Sequence, residues 1–294
     1  MGEKCEMGEK IKQLKRILAI NDLSCFGKCS LTVDLPVLSA FGAEAAVLPT
    51  SVLSAHTAVF EDYSILNMTE EMQKILNIWE SHNLRFDAVM TGYFASTGQI
   101  DICREYINRH RTDFEFVLVD PVMADNGKLY SGFNETLPPK MRTLLKNADI
   151  ITPNLTEACL LTETEFSPSM NNKAMKDVCR KLLSLGPKAV AVTGVLDGGG
   201  LISDVFFDGA DFEVFPRKYS DKRLHGSGDV FAAALCGLML KGLSPVSAVE
   251  AAGEFTYRCI CETVSNGLKN PYGLDFEKVI SSGVQNICKK GEIQ

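Results

Sequence analysis

The sequence predicts one α/β domain in which a mostly parallel central sheet is covered by helices on both faces. Short apolar runs that end in polar residues alternate along the chain with segments of helical periodicity. The 294 residues are 46% hydrophobic and 23% charged, which is enough apolar material for one large core. No internal repeat or linker interrupts the alternation. We therefore expect a charged N-terminal extension at 1–15 and a single domain at 16–294.

The overall charge and the distribution of apolar residues argue against several classes of protein. A net charge of −7 makes nucleic acid an unsuitable main partner, because that binding depends on neutralising phosphates. The apolar run Ile17–Ile20 is too short for a secretion signal, and no other stretch approaches a membrane span. We expect a cytoplasmic protein with no membrane partner. The ten cysteines lack the CxxC spacing of a zinc site and are expected to be free thiols.

The first half of the chain alternates between buried strands and helices. Continuous apolar runs are typical of strands covered on both faces, and they predict strands at Arg16–Asn21, Ala43–Leu48, Phe86–Thr91 and Phe114–Val119. Helices are predicted at Leu31–Ala40, at a segment capped by Thr69 with Met72, Ile75, Leu76 and Trp79 on its inner face, and at Ile100–Ile107. No period holds from Ser51 to Leu66, which predicts a long connection of the kind that often borders an active site.

The second half continues the alternation and adds a hairpin. Helices are predicted at Lys140–Leu145 and at Lys173–Leu185, with Met175, Val178, Cys179 and Leu182 on the inner face of the latter. Strands are predicted at Asp149–Thr152 and Ala189–Thr193, followed by a hairpin of Gly198–Phe207 and Phe212–Pro216 around Asp208 and Gly209. Closing helices are expected at Pro245–Val264 and Phe276–Ile287.

A glycine-rich turn at 226–228 leads directly into the apolar segment Val230–Leu240. Gly226 and Gly228 let the backbone turn sharply and approach a ligand closely. Ser227 is predicted to cap the following helix, so that free N–H groups and the positive end of the helix dipole face the turn. Only Gly237 interrupts the apolar run, which predicts a helix buried on all sides with close packing at the glycine. We interpret the turn as an anion site fixed to the core.

Asp229 stands in the first turn of this predicted helix, next to the anion site. A carboxylate beside a bound phosphate is repulsive unless it has a chemical role, and the obvious role is to accept a proton from an attacking hydroxyl. The alternative is that the turn is an ordinary loop and that Asp229 only stabilises the helix N-terminus electrostatically. The chain has no GxxxxGK[ST], and GxGxxG fails here because Phe231 occupies its last position.

Polar residues stand at the carboxyl ends of the predicted strands. In sheets built from alternating strands and helices, ligands bind beyond these ends. The residues are Asp22, Thr50, Tyr93, Asp120, Thr152 and Thr193, with Asn154 and Glu157 close behind. They predict a polar rim above an apolar sheet.

Two acids of this rim, Asp120 and Glu157, are candidate Mg²⁺ ligands. Mg²⁺ is usually held through few protein oxygens together with waters and substrate phosphates, so two acids beside a phosphate site fit it. The alternative for Glu157 is structural, because Asn154-x-x-Glu157 before an apolar run resembles a capping box. Asp125 and Asn126 followed by Gly127 are interpreted as a turn.

The ordered set of motifs resembles a known family. DPVM at Asp120, TPNLTEA at Thr152, an apolar strand ending in Thr193 and HGSGD at His225 follow the order found in the ribokinase-like superfamily of ATP-dependent sugar and vitamin kinases. RILAINDLS, PTSVLSAHT and TGYF before DPVM resemble the vitamin B6 kinases within it. The resemblance extends from about Arg16 to the C-terminal helices. It implies a ribokinase-like fold.

The resemblance also implies a reaction, which is ATP-dependent phosphorylation of the 5′-hydroxymethyl group of pyridoxal, pyridoxine or pyridoxamine. By this resemblance Asp229 is the base, and Gly226, Ser227 and Gly228 form the anion hole. Asp120 and Glu157 form the Mg²⁺ environment, and Asn154 and Thr193 lie near the ATP phosphates. The pyridine ring is expected to bind at Asp22, Thr50 and Tyr93. Mg²⁺ as cofactor, ATP as co-substrate, K⁺ as a further cation and a homodimer are implied in the same way. The family often has Ser where Asp22 stands and GTGD where this chain has GSGD.

Two other functions stay open. Hydroxymethylpyrimidine kinases of thiamine synthesis share DPVM, TPN and the preceding His225, but they typically have Cys where Asp229 stands, which favours a B6 vitamer. The second alternative is a catalytically silent member that binds a B6 vitamer as a sensor. The intact set of Asp229, Asp120 and Glu157 argues against it.

Overall fold

The computed structural model describes residues 14–60, 62–220, 224–268 and 272–284, which include a nine-stranded sheet. The strands are β1 (Arg16–Ser24), β2 (Glu44–Leu53), β3 (Ile65–Asn67), β4 (Ala88–Thr91), β5 (Phe116–Val119), β6 (Ala124–Asp125), β7 (Lys128–Leu129), β8 (Ile150–Ile151), β9 (Ala189–Leu196), β10 (Leu201–Phe207) and β11 (Phe212–Lys218). The order in the large sheet is β11-β10-β9-β8-β5-β4-β1-β2-β3, and β6 pairs with β7 separately. The strands from β9 to β2 in this order are parallel, whereas β3, β10 and β11 pair antiparallel with their neighbours.

Helices cover both faces of the sheet. They are α1 (Leu31–Ala40), α2 (Thr69–Ser81), α3 (Thr97–His110), α4 (Leu137–Leu145), α5 (Leu155–Thr162), α6 (Asn172–Ser184), α7 (Ser227–Leu240), α8 (Pro245–Ser265) and α9 (Phe276–Ser281). Side chains of β1 alternate between two buried clusters, with Leu18 and Ile20 on the side of α2 to α6 and Ile17 and Ala19 on the side of α1, α7, α8 and α9. The predicted fold class, a mostly parallel sheet with helices on both faces, is confirmed.

Several predicted elements are confirmed in detail. Helix α1 has the predicted bounds, although it contains Pro36. The buried side chains of α6 are the predicted Met175, Val178, Cys179 and Leu182. Strands β10 and β11 pair as the predicted hairpin, and the turn at Asn126 and Gly127 joins β6 to β7 with positive φ at both residues. The ends of other elements differ from the predicted ones by a few residues, as at β4, which begins at Ala88.

The predicted long connection from Ser51 to Leu66 is wrong in part. Strand β2 continues through Leu53 because β1 pairs with it along its whole length, across an irregularity between Asn21 and Leu23. Strand β3 then returns antiparallel to β2, with Leu53 opposite Ile65. The polar residues within β2 hid this extension, because they break the apolar run from which the strand was predicted.

The predicted N-cap of α2 is also wrong. Thr69 is the first residue of the helix, and Met68 occupies the N-cap position without a side-chain hydrogen bond. Asn67 organises this start, because its Oδ1 accepts from the backbone N–H of Thr69 at 2.9 Å and from the Thr69 hydroxyl. Asn and Asp commonly accept from the backbone two residues further on.

Helix α7 is buried on nearly all sides, as its sequence predicts. A Cβ at Gly237 would lie 2.5 Å from Cβ of Phe41, so glycine allows α7 to approach the end of α1. The eight cysteines in the described residues are free. No helix among the described residues is both long and apolar enough to span a membrane. Residues 1–13 of the predicted extension at 1–15, and the predicted end of the last helix beyond residue 284, lie outside the described residues.

Candidate active site

The carboxyl ends of the parallel strands bring the predicted rim residues to one edge of the sheet. The Thr50 hydroxyl on β2 donates to the carbonyl of Tyr93 at 2.9 Å, and the Tyr93 N–H donates to Oδ1 of Asn21 on β1, also at 2.9 Å. Further along this edge, the Asp120 N–H donates to the carbonyl of Thr91 at 3.0 Å. Residues far apart in the sequence therefore lie together at this edge of the sheet.

The glycine turn before α7 is shaped by contact with a neighbouring loop. Gly226 has a φ of +79°, and a Cβ there would lie 2.4 Å from the carbonyl oxygen of Lys28. Any side chain at this position would therefore clash with the backbone. Gly228 is exposed, and a Cβ there would lie 3.9 Å from Oδ2 of Asp120. The turn thus lies beside the carboxylate that follows β5.

Two details predicted for this turn are wrong. Gly226 occupies the N-cap position and Ser227 is the first helical residue, with no side-chain hydrogen bond at the cap. Gly228 has no positive φ, so its value to the turn is the space that it leaves open and not an unusual conformation. The free N–H groups of the first turn of α7 are unaffected by these corrections and remain available to an anion.

Asp229 lies half-buried in the first turn of α7. Burial raises the pKa of its carboxyl to about 6. The nearby Ser30 backbone N–H and Asn21 side chain lower this pKa, and the charge of Asp22 raises it. The group is ionised at neutral pH, yet it accepts a proton more readily than an ordinary aspartate. These are the properties required of a general base.

The Glu157 side chain accepts hydrogen bonds from the backbone around it. Its Oε2 accepts from the N–H of Asn154 at 2.9 Å, and Oδ1 of Asn154 accepts from the N–H of Glu157 at 2.9 Å, which completes a capping box on α5. Its Oε1 accepts from the N–H of Met123 at 2.9 Å. Burial raises the pKa of Glu157 to about 8 in spite of these bonds. The structural alternative predicted for Glu157 is therefore realised.

The buried acids of the rim have no positively charged side chain in the described residues to stabilise their ionised forms. Asp120 is 7% exposed, and burial, Glu157 and Asp229 raise its pKa well above the ordinary range. Within the described residues, neither Asp120, Glu157 nor Asp229 forms an ion pair with Lys or Arg. No cluster of three or more His, Cys, Asp or Glu there could enclose a metal. Hard oxygen donors that lack a cationic partner fit hydrated Mg²⁺ completed by phosphate oxygens, and Asp120 beside Gly228 is the better-placed donor.

The three residues predicted to hold a pyridine ring differ in their access to a ligand. Thr50 is fully buried, and its hydroxyl donates to the carbonyl of Tyr93, so its side chain stabilises the turn after β4. Asp22 is 6% exposed and accepts from two serine hydroxyls. Tyr93 is only half-buried, and its ring stacks on Phe133 with centroids 5.4 Å apart. Tyr93 is therefore the most accessible of the three.

Asn154 and Thr193, predicted near the ATP phosphates, lie side by side. They form a parallel bridge, and the Thr193 N–H donates to the carbonyl of Pro153 at 3.0 Å. The amide of Asn154 is occupied, since its Nδ2 donates to the carbonyl of Ala124 at 2.7 Å while its Oδ1 belongs to the capping box. Thr193 is half-buried and is the more accessible of the pair.

Two buried polar residues of this site had no role predicted from the sequence. Asp34 is 0% exposed on α1, and Asn21 is 3% exposed on β1. Asn21 Nδ2 donates to Oδ2 of Asp34 at 2.9 Å. An acid within the apolar helical run LTVDLPVL was a usable signal, because such a position must bury the carboxyl.

Loops that are distant in the sequence meet beside the glycine turn. His56 and His225 lie with ring centroids 5.2 Å apart, and His225 directly precedes Gly226. Burial and His225 lower the pKa of His56 to about 4, which keeps it neutral. Phe26, Phe60 and Tyr272 form three mutual ring contacts at 4.9–5.8 Å. These contacts could not be predicted, because no local pattern in the sequence links the loops.

Comparison with known proteins gives a consistent family. The sequence model described as phosphomethylpyrimidine kinase matches residues 27–272. The chloroplastic thiamine biosynthetic bifunctional enzyme of Arabidopsis thaliana is 28% identical over 286 residues, which are 94% of this chain and 50% of that protein. The pyridoxine kinase of Bacillus subtilis is 31% identical over 187 residues, 60% of this chain and 65% of that protein. The chain thus spans about half the length of the plant relatives that it matches.

A solved structure of a candidate phosphomethylpyrimidine kinase from Bacteroides thetaiotaomicron has a TM-score of 0.88 and 34% identity, covering 94% of this chain and 96% of that one. A second crystal form of that protein is described as containing pyridoxal. Pyridoxal kinase from Lactobacillus plantarum has a TM-score of 0.86 and 26% identity, covering 94% of this chain and 99% of that one. With the family matched over most of its length and the fold shared with these kinases, the chain belongs to the phosphomethylpyrimidine kinase family of the ribokinase-like superfamily.

Proposed function

We propose that this chain transfers a phosphoryl group from ATP to the 5′-hydroxymethyl group of a vitamin B6 vitamer, namely pyridoxal, pyridoxine or pyridoxamine. The observation that carries the proposal is the half-buried carboxylate of Asp229, in the first helical turn after the turn at Gly226. Two further facts favour the substrate class. Hydroxymethylpyrimidine kinases typically have Cys at the position of Asp229, and the Bacteroides relative is described in a form with pyridoxal.

In the proposed mechanism, Asp229 accepts the proton of the substrate hydroxymethyl group as its oxygen attacks the γ-phosphorus of ATP. The bond from that phosphorus to the leaving oxygen of ADP breaks as the new one forms. Backbone N–H groups at Gly226, Ser227 and Gly228 face the negative charge on the phosphoryl group in flight. Most of the catalysis is then positioning and charge stabilisation, and the base removes the proton that the attacking alcohol must lose.

The substrate ring is proposed to lie against Tyr93, with Asp22 near its polar groups. An aromatic side chain offers a pyridine ring a stacking surface. Thr50 contributes through the Tyr93 backbone, whose carbonyl it holds. The acidic side chain at Asp22, where the family often has Ser, then becomes a determinant of which vitamer is preferred.

ATP is proposed to bind with its phosphates near Asn154 and Thr193 and with Mg²⁺ near Asp120. Bound Mg²⁺ would neutralise charge on the phosphates. Asp120 would hold Mg²⁺ directly or through water. Glu157 would not contact the ion, but would fix the positions of the Met123 and Asn154 backbone through hydrogen bonds. A K⁺ requirement rests on the resemblance alone. Replacing K⁺ with tetramethylammonium in the assay should lower activity if it is correct.

The experiment that tests the function is a substrate panel. Pyridoxal, pyridoxine, pyridoxamine and hydroxymethylpyrimidine are each incubated with ATP and Mg²⁺, and phosphorylated product is measured. We expect the highest kcat/KM with one of the three B6 vitamers. Turnover of the pyrimidine alone would contradict the proposal.

Hydroxymethylpyrimidine kinase activity is the second candidate. It is favoured by the description of the matching family and by the thiamine biosynthetic name of the plant relative. A silent vitamer sensor is the third and would bind a vitamer without phosphorylating it. The same panel separates all three, provided that vitamer binding is measured alongside turnover.

A further inference from the structure

The turn between β4 and α3, which carries Tyr93, is tied to β2 by one glutamine. Gln99 lies in the first turn of α3 and is fully buried. Its Oε1 accepts from the N–H of Ala95 at 2.8 Å, and its Nε2 donates to the carbonyl of Thr50 at 2.7 Å, with a longer contact of 3.4 Å to Oδ1 of Asn67. Because a backbone N–H can only donate and a carbonyl can only accept, these partners fix the orientation of the amide.

Thr50 completes a closed connection between β2 and this turn. Its hydroxyl donates to the carbonyl of Tyr93 at 2.9 Å, while its own carbonyl accepts from Gln99. Tyr93 and Ala95 are therefore held to the same residue of β2, the first directly and the second through Gln99. Phe94 between them is buried. The backbone from which the Tyr93 ring projects is thus fixed on both sides of Phe94.

Helix capping accounts for only half of what Gln99 does. A side-chain acceptor at the third position of a helix commonly binds a backbone N–H at the N-terminus, which explains the bond from Ala95. The bond from Nε2 leaves the helix and reaches another strand. The Thr50 carbonyl that it meets already accepts from the N–H of Met68 at 3.0 Å, so it does not need Gln99 to be satisfied. A role in placing the turn explains why an amide stands here.

We propose that Gln99 is a positioning residue which, together with Thr50, holds the 93–95 backbone so that the Tyr93 ring meets the ring of the bound vitamer. The connection is a property of the fold, and its kinetic consequence rests on the function proposed above. The hydrogen bonds of Gln99 reach β2 and the turn after β4 and do not involve α7, which carries Asp229. Its loss should therefore weaken binding of the vitamer and leave phosphoryl transfer nearly unchanged.

Gln99→Met tests the proposal, because it keeps an unbranched side chain of similar length and removes both hydrogen bonds. We expect KM for the best vitamer of the substrate panel to rise by at least about tenfold, while kcat and KM for ATP change by less than about threefold. Gln73→Met is the matched control, since the Gln73 side chain donates only to Asn77 on the exposed face of α2, and it should leave all three constants unchanged. A wild-type KM for the vitamer in folded Gln99→Met would overturn the proposal.

A general loss of stability must be separated from a loss of position. Val178→Ala, at a buried position of α6, should lower the melting temperature without changing KM for the vitamer, because α6 carries none of the rim residues. A rise in KM as large as that in Gln99→Met would overturn the positioning role.

Thr50 offers a test from the β2 side that does not depend on the folding of Gln99→Met. Thr50→Val removes the hydroxyl that donates to Tyr93, whereas Thr50→Ser keeps it, and both keep the carbonyl that accepts from Gln99. We expect a raised KM for the vitamer in Thr50→Val and a value near wild type in Thr50→Ser. Equal KM values in the two variants would overturn the proposal.

Hydrogen exchange tests the connection without a substrate. In Gln99→Met the N–H of Ala95 loses its acceptor, so we expect amide exchange in a peptide covering 92–96 to be faster than in wild type by at least about threefold. Gln73→Met should exchange like wild type there. Unchanged exchange in Gln99→Met would overturn the connection itself. If wild type phosphorylates none of the four compounds, the proposed function fails, and this measurement alone decides the connection.

Discussion

At the scale of single residues, Asp229 is held where its negative charge is costly. Burial and the neighbouring Asp22 raise its pKa to about 6, although two hydrogen-bond donors act in the opposite direction. Asp34 and Asp120 also lie near Asp229, and no cationic side chain stands between these acids in the described residues. Perturbed carboxyls in such an arrangement are characteristic of functional sites.

Replacing the base should affect turnover more than binding. Asp229→Asn keeps the size of the side chain but cannot accept the proton, so we expect kcat to fall by about 10² to 10⁴. The affinity for ATP should be unchanged or higher, because a negative charge near the phosphates is lost. Steady-state kinetics and calorimetric ATP binding check this, with circular dichroism as the control for folding. Near wild-type turnover in a folded variant would make Asp229 only a helix-end charge.

The same substitution should change stability in a pH-dependent way. The pKa of Asp229 is about 6 in the folded protein and 3.8 ordinarily, so the folded state binds this proton more tightly than the unfolded state. The resulting contribution to the free energy of unfolding is fully present below about pH 4 and is lost as the pH rises through 6. Asp229→Asn should therefore melt above wild type at pH 7.5, with the difference shrinking towards pH 4.5, in the absence of Mg²⁺ and nucleotide. Asp177→Asn, on the exposed face of α6, should shift the melting temperature little at either pH. A pH-independent difference for Asp229→Asn would contradict this.

At the scale of elements, the two candidate metal residues stand in different places: Asp120 comes directly after β5, whereas Glu157 lies in the first turn of α5. Asp120→Asn should raise the Mg²⁺ concentration needed for half-maximal activity by about 10- to 100-fold with little effect on melting. Both side-chain oxygens of Glu157 accept hydrogen bonds from backbone N–H groups, and Glu157→Gln would place an amide N–H group against one of these donors. The substitution should therefore lower the free energy of unfolding by about 1–3 kcal/mol. Mg²⁺ titrations and thermal melts of both variants distinguish the roles. A lowered melting temperature in Asp120→Asn with unchanged Mg²⁺ dependence would reverse them.

The approach of α7 to α1 depends on one glycine. Gly237→Ala would place a Cβ 2.5 Å from Cβ of Phe41, and overpacking of this kind costs about 1–3 kcal/mol. Gly98→Ala, near the start of α3, is the matched control, because a Cβ there meets only the Ser96 hydroxyl oxygen at 3.8 Å, and we expect no loss of stability. Chemical denaturation of both variants measures these changes. Equal stabilities would mean that the two helices separate without penalty.

The periodicity of apolar residues predicted correctly those elements whose buried face depends only on their own sequence. The inner face of α6 could be predicted because a single helix surface packs on the sheet. The extension of β2 and the start of α2 could not, because a partner strand and the side chain of Asn67 decide them. In the same way, Gly226 was identified from its motif, whereas its contact with Lys28 depends on a loop that the sequence does not link to it.

At the scale of the whole molecule, strand order decides which polar residues meet. The alternation of strands and helices predicts that Asp22, Tyr93 and Asp120 stand at one edge, because parallel strands share a direction. It does not give the order that sets β1 between β4 and β2, and this order brings Asn21 against both Gly92 and Asp34. Individual rim residues were therefore predictable, while the amide that joins them was not.

The homodimer implied by the family resemblance is proposed to form at the β3 edge of the sheet. Ile65 and Leu66 on this last strand are 47% and 62% exposed, and Ile78 on α2 is 56% exposed. An exposed apolar edge strand is a template for pairing with another chain. Sedimentation velocity should show a dimer for wild type and a shift towards monomer for Leu66→Lys. Leu14→Lys is the matched control, because Leu14 is 60% exposed before β1, and its sedimentation should equal that of wild type. A monomeric wild type, or an unchanged dimer in Leu66→Lys, would contradict pairing at this edge.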